Sequence, residues 1–238
     1  MTLTDALLGP RLARDGAAPL ITYYDDAGGE RIELSGITCA NWAAKTANFL
    51  RDECDVEPGD RVALLLPAHW QTLAVLLGAW WCGAEVVTEP AGADVVCCDA
   101  ERLVAATGAG AGTVVALSLH AFGVGLPGLP PGVVDYAGEV RLHGDTFVPE
   151  HPASGADPAL NGAAVDEVLA AAHAAAAEAG FGSGDRVLTT RDWSVADGLV
   201  EVPLAVLAAG ASLVQCRNAD PAALDRRAES ERATHRLR

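Results

Sequence analysis

Lysine is almost absent from this sequence: Lys45 stands alone beside fifteen arginines in 238 residues. Chemistry that needs an ammonium side chain therefore has one candidate. Positive charge is scarce altogether, with 16 basic against 32 acidic residues. The resulting net charge of −16 and pI near 4.6 oppose attraction to phosphate backbones and anionic lipid surfaces, which argues against nucleic acid and membrane as partners. The longest apolar run, Leu73 to Ala84, ends at Glu85 and falls short of the roughly 20 residues a bilayer requires. Asp5 comes early, and no apolar stretch with a cleavage site follows the N-terminus, so the chain reads as cytoplasmic. No C-x-x-C pair occurs among the six cysteines, which reads as reduced, buried thiols rather than a disulfide framework. The six histidines show no H-x-x-x-H or H-E-x-x-H spacing and there is no G-x-S-x-G, so neither a metal site nor a hydrolase elbow is indicated.

Apolar residues are plentiful, at 50% with mean hydropathy +0.22, which places the chain among globular proteins. Its most informative pattern is an internal repeat. Leu34-Ser35-Gly36 recurs as Leu160-Asn161-Gly162, Gly59-Asp60-Arg61-Val62 as Gly184-Asp185-Arg186-Val187, and Gly83-Ala84-Glu85-Val86-Val87 as Gly210-Ala211-Ser212-Leu213-Val214. Three landmarks in one order predict two copies of a helix-strand-helix-strand unit, each closing a parallel pair through a helical crossover. In the first copy Thr38 is placed to cap a helix whose Trp42, Thr46, Phe49 and Leu50 share a face. The strand from Val62 to Leu66, a buried helix from Gln71 to Cys82 and a strand at Val86-Val87 follow. The second copy gives a helix from Asp166 to Ala179, strands at Val187 to Thr189 and Ser212 to Cys216, and a helix around Val202 to Ala209.

Ahead of the first copy, Asp25-Asp26-Ala27-Gly28-Gly29 separates two strand-like runs and predicts a hairpin at a sheet edge. Asp94 to Cys98 and Thr113 to Leu117 read as further strands, with Cys97 and Cys98 on opposite faces. Gly123 to Gly132 reads as a Gly/Pro loop. Its G-x-G-x-x-G spacing lacks the helix that a dinucleotide site needs, because Leu129-Pro130-Pro131 follows. Asp220-Pro221 opens a predicted helix running nearly to Arg238. Trp80-Trp81 reads as core. Trp193 is open between lining a small-molecule pocket and covering the core.

Read in order, Ile37-Thr38-Cys39-Ala40-Asn41-Trp42, Val56-Glu57-Pro58-Gly59-Asp60-Arg61-Val62-Ala63-Leu64-Leu65-Leu66-Pro67 and Ala79 to Val87 resemble the N-terminal half of adenylate-forming enzymes. These are the acyl-CoA synthetases, peptide-synthetase adenylation domains and luciferases. The resemblance implies an α/β fold of two similar parallel-sheet lobes. The division read from it is 1–125 for a first lobe with the N-terminal hairpin, 126–159 for a loop-rich connection with a degenerate phosphate loop, and 160–238 for a second lobe with a C-terminal helix.

In that family a T-S-G-T-T-G-x-P-K-G loop holds the ATP phosphates through backbone N-H groups, hydroxyls and a lysine. Here the loop aligns with residues 152–162, where Ser154, Gly155, Asn161 and Gly162 remain as phosphate anchors while both threonines and the lysine are gone. Asp157 adds a negative charge, worth about 3 kcal/mol of repulsion per contact at about 5 Å and an effective dielectric near 20. The histidine that gates the family's acyl pocket falls on Val195, with Trp193, Ser194 and Gly198 as the remaining pocket candidates. The resemblance also implies that the third subdomain and small C-terminal domain, with their magnesium, ribose and lysine motifs, have no counterpart in this sequence.

The expectation is an AMP-binding, acyl-CoA-synthetase-like chain without catalytic residues or metal. It would take at most a nucleotide (ATP or AMP), CoA or an acyl ligand, and act through a protein partner or as a homodimer. Two other readings stand beside it: a minimal acid ligase completed by a partner or second copy, and an interaction module without ligand.

Overall fold

The computed structural model describes residues 1–237. Helix α1 (Leu3–Asp15) opens the chain behind a reciprocal cap between Thr2 and Asp5. Gly9 and Pro10 in its middle lower helix propensity and mask this helix in the sequence. The hairpin β1 (Pro19–Asp25) and β2 (Glu30–Ser35) leads into α2 (Gly36–Cys54). The cap of α2 is Ser35, whose hydroxyl accepts from Thr38 N at 3.1 Å; Thr38 supplies the third helical position rather than the cap. The first copy of the repeat continues as β3 (Arg61–Leu65), α3 (Trp70–Cys82) and β4 (Glu85–Val87). Then come β5 (Val95–Asp99), α4 (Leu103–Gly108), β6 (Thr113–Leu117), β7 (Val133–Asp135) and α5 (Tyr136–Glu139). The short strands β8 (Pro158–Leu160) and β9 (Ala163–Ala164) precede α6 (Val165–Ala179). The second copy is completed by β10 (Arg186–Thr189), a π turn (Val200–Leu204) running into α7 (Ala205–Ala208), and β11 (Ser212–Arg217). The chain closes with α8 (Leu224–Ser230) and β12 (His235–Leu237).

Two sheets result, one of five strands in the order β12-β10-β11-β1-β2 and one of seven in the order β7-β6-β5-β3-β4-β8-β9. Pairing is parallel except within the hairpins β1/β2 and β8/β9. Each copy of the repeat forms its predicted parallel pair, β3 with β4 and β10 with β11, in different sheets. The N-terminal hairpin does not stay with the first copy. β1 pairs with β11, Ile21 opposite Leu213 through Asp25 opposite Arg217, so the hairpin extends the sheet of the second copy, with β2 as its edge. In exchange, β8 and β9 extend the sheet of the first.

One hydrophobic core lies between the sheets and takes the inward residues of both. Val62 and Leu64 of β3, Val95 and Cys97 of β5, Ile21 of β1 and Leu213 of β11 meet there with α1, α2, α3 and α6. The period-2 alternation of a strand sends the intervening residues outward. Ala63, Val96 and Cys98 pack beneath α4, while Val214 and Cys216 pack beneath α8. Five layers follow, with helices outside and between two sheets. Cys97 and Cys98 thus face opposite sides, and all six cysteines are buried free thiols. α3 is covered on nearly every side: only Trp81 of its thirteen residues is not buried.

The C-terminal segment departs from the predicted long helix. α8 stops in a Schellman turn, Arg232 at φ +53°, with Ala233 N donating to Ala228 O and Arg232 N to Glu229 O. The chain then reverses and β12 adds to β10. This turn brings Ala233 into one cluster with Leu224 and Ala228, although a continuous helix would place it on the side opposite Leu224. It also buries Glu231, whose carboxylate accepts from Arg186, Tyr24 and, at 3.0 Å, Arg31. Burial pushes this carboxyl up, but the hydrogen bonds from Tyr24, Arg186 and Arg31 outweigh it and hold the group below its usual range.

Removing one member of a buried ion pair leaves its partner uncompensated, at a cost of about 3 kcal/mol or more. Glu231→Gln is therefore expected to lose about 3 kcal/mol in urea unfolding, while Glu229→Gln, on the exposed face of the same helix, stays within about 0.5 kcal/mol.

Candidate functional site

The segment that resembles the phosphate loop, residues 152–162, holds a turn, strand β8 and the start of a hairpin. β8 occupies its middle, with Ser154-Gly155 in a turn ahead of the strand and Asn161-Gly162 directly after it. The four candidates thus fall in two separate turns, one on each side of β8. Asn161 and Gly162 are the whole connection between β8 and β9, with φ of +47° and +86°, the signature of a two-residue type I′ turn. Asn-Gly between strands is itself the strongest short hairpin signal in a sequence, and it pointed here to a tight turn rather than a ligand loop.

The polar groups of both ends are already engaged. Ser154 N donates to Asp157 Oδ2 at 2.7 Å, Ala156 N to Ser154 Oγ, and Asp157 N to Ser154 O. Gly162 N donates to Glu85 Oε1 at 2.6 Å, and Asn161 Oδ1 accepts from Thr88 N at 2.9 Å. Amides held by Asp157 and Glu85 carboxylates are not free to hold phosphate, and those carboxylates repel it. The ATP implied by the resemblance does not fit these residues.

Trp193, Ser194, Val195 and Gly198 are brought together, as a plug. Ser194 N donates to Asp197 O at 2.8 Å, closing a turn that Gly198 continues at φ +71°. Trp193 is 1% exposed and Val195 8%. The indole Nε1 donates to Gln215 Oε1 at 2.8 Å, and Gln215 Nε2 donates to Arg191 O. Of the two readings open for Trp193, the structure takes the core one. Next to it Asp192 Oδ1 accepts from Ala68 N at 3.0 Å and from Trp193 N, latching the second copy onto the end of β3.

Beside this latch, directly after Ala68, stands His69. His69 is fully buried and caps α3, its Nδ1 accepting from Gln71 N at 3.1 Å, and its ring meets Tyr23 of the other sheet edge-on at 4.4 Å. Burial, with a further push from Arg217, drops its pKa to about 3, so it is a neutral structural cap rather than an acid-base group at pH 7. Lys45 is equally committed: its Nζ donates to His143 O at 2.6 Å, beside Asn48 donating to Gly144 O and Thr146 O. The thiols are no better placed as nucleophiles, since burial pushes Cys39, Cys54 and Cys82 up to about 12. Among the described residues no three His, Cys, Asp or Glu side chains gather as a metal site, and no helix is long and apolar enough to cross a membrane.

The His69 cap predicts an acid-sensitive fold. The unfolded chain protonates this ring below about pH 6.5 and the folded protein only near pH 3, so stability present above pH 6.5 is lost as pH falls, by about 1.4 kcal/mol per unit. Urea unfolding of wild type is expected to show this dependence as a loss of about 2 kcal/mol between pH 7 and 5. His69→Asn, which keeps a capping acceptor, is expected to flatten it.

Comparisons agree with this fold. A scan against protein-family models finds no match. Among solved structures, the acyl-CoA synthetase of Brucella canis superimposes with a TM-score of 0.79 at 20% identity, covering 99% of this chain and 47% of that one. The anthranilate CoA ligase AuaEII, solved with anthranoyl-AMP, gives 0.70 at 16% identity over 90% and 44% of the two chains. MatB from Rhodopseudomonas palustris gives 0.66 at 19% identity over 90% and 45%. The chain therefore has the α/β fold of the N-terminal domain of acyl-CoA synthetases and spans about half the length of these three. A TIGR03089 family protein of Mycobacterium tuberculosis (strain ATCC 25618 / H37Rv) is 53% identical over 99% of this chain and 98% of its own length. On that identity and coverage, the chain belongs to the TIGR03089 family.

Proposed function

We propose that this chain is a non-adenylating protein on the adenylate-forming fold, which acts by binding, through a protein partner or a small ligand, and not by turning over ATP. The observation that carries this reading is the Asn161-Gly162 turn. Adenylation draws most of its rate from positioned positive charge and donors around the phosphates. Where those groups belong, this chain has a two-residue hairpin whose amide is held by Glu85. Its one lysine is tied to a backbone carbonyl elsewhere.

The partner half of the proposal draws on an exposed apolar surface. Phe122, Val124 and Leu142 are 78%, 53% and 78% exposed. They lie on two segments that Arg141 fastens together through Phe122 O and Gly123 O. Exposed large hydrophobics gathered in this way are a mark of contact surfaces.

Titration calorimetry with MgATP, AMP and CoA, followed by pyrophosphate exchange with carboxylic acids, tests the proposal. The expected result is no MgATP binding tighter than about 100 μM, roughly −5.5 kcal/mol, and no exchange. Tighter binding, or exchange above background, overturns it.

A further inference from the structure

A cleft of about 250 Å³ opens at the N-terminal ends of β3, β4 and β8, beside Pro58, Gly83 and Asp157. Ligands of open parallel sheets sit at the opposite, carboxyl ends of the strands, so this cleft is separate from the place where the resemblance would put nucleotide. One wall is aromatic. Trp81, the single residue of α3 left partly uncovered, stacks on Phe147 with ring centroids 6.4 Å apart and planes at 25°. Its Nε1 is fixed by donation to Asp5 Oδ1 at 2.8 Å, which holds the indole in place without a ligand.

Carboxylates outnumber cations around this wall, where the positive groups are Arg51 and the Met1 amine, which donates to Ala153 O at 2.8 Å. Asp55, Glu57, Glu150 and Asp157 line the cleft, and the first three enter no ion pair among the described residues. α2 and α3 also end here, at Cys54 and Cys82, presenting the negative ends of two helix dipoles. The one guanidinium at the cleft, Arg51, is matched by Asp52 at 2.7 Å and lies 5.1 Å from the Phe147 ring centroid. The wall therefore already holds a cation over an aromatic face.

We propose that this cleft binds a small organic cation with an apolar body, an arylalkyl- or alkylammonium, with its body against Trp81 and its charge toward Glu57 and Glu150. The proposal concerns a different surface from the adenylation question and stands or falls separately.

The test is titration of the full chain with 2-phenylethylammonium and, in parallel, with 3-phenylpropionate, a comparable body of opposite charge, followed by calorimetry and tryptophan fluorescence. The ammonium is expected to saturate with a Kd below about 1 mM and to weaken several-fold on raising salt, while the carboxylate shows no saturation at ten times that concentration. Glu57→Gln with Glu150→Gln is expected to weaken the ammonium five- to tenfold. Both carboxylates are exposed and unpaired, so the variant keeps the wild-type urea midpoint. Equal binding of both probes, binding of the carboxylate alone, no binding of either, or an ammonium Kd unchanged in the folded variant overturns the proposal.

Discussion

A helix that is apolar on every side must be covered on every side, and the arrangement of this molecule follows from meeting that demand for α3. α2 and α1 pack along it, and the sheets built by the two copies of the repeat close over the rest. The closest approach is at Gly78, where an added Cβ would stand 2.6 Å from Thr46 Cβ. Glycine here is a packing requirement, one that lets two helix backbones come together. Thr46 is in turn tied by its hydroxyl to Trp42 O and the Tyr136 hydroxyl, so α5 is located by the same contact. The one place where cover is incomplete is Trp81, and there the surface opens into a cleft.

The second constraint is electrostatic. A chain with twice as many acidic as basic residues can gather positive charge only by spending its few arginines, and the structure shows where they go. Arg186 and Arg31 converge on Glu231, and Arg227 pairs with Asp26 and lies over Tyr24. These pairs fasten α8 and the turn after it to the five-stranded sheet. These arginines are thus committed to closing the fold, while Glu85 and Asp157 hold the amides of Gly162 and Ser154 on either side of β8.

What the sequence made legible was local or repeated. The two parallel pairs, the buried strands of alternating face and the Gly/Pro loop follow from periodicity and punctuation that reside in a few adjacent residues, as Cys97 and Cys98 illustrate. What it concealed was decided at a distance. Nothing near Ile21 says that its neighbour is Leu213 rather than a strand of its own half. Nothing within 224–230 says that the helix will stop so that a carboxylate can meet Arg186. At residues 152–162 two signals overlap: a likeness to a phosphate loop, and the turn chemistry of Asn161-Gly162 that the β8–β9 hairpin uses. Trp193 stayed ambiguous for a physical reason, since an indole with one polar atom suits a pocket wall or a core equally until its donor finds Gln215.

Lys45 gives the fold an unusual analytical property. Its ammonium secures the backbone at His143, and the amine of Met1 is held by Ala153 O, ten residues further along the same connector. The primary amines of the chain thus both report on the segment that walls the aromatic cleft. An amine-directed label, which on most proteins scatters over dozens of lysines, would here sense whether one connector is docked or lifted.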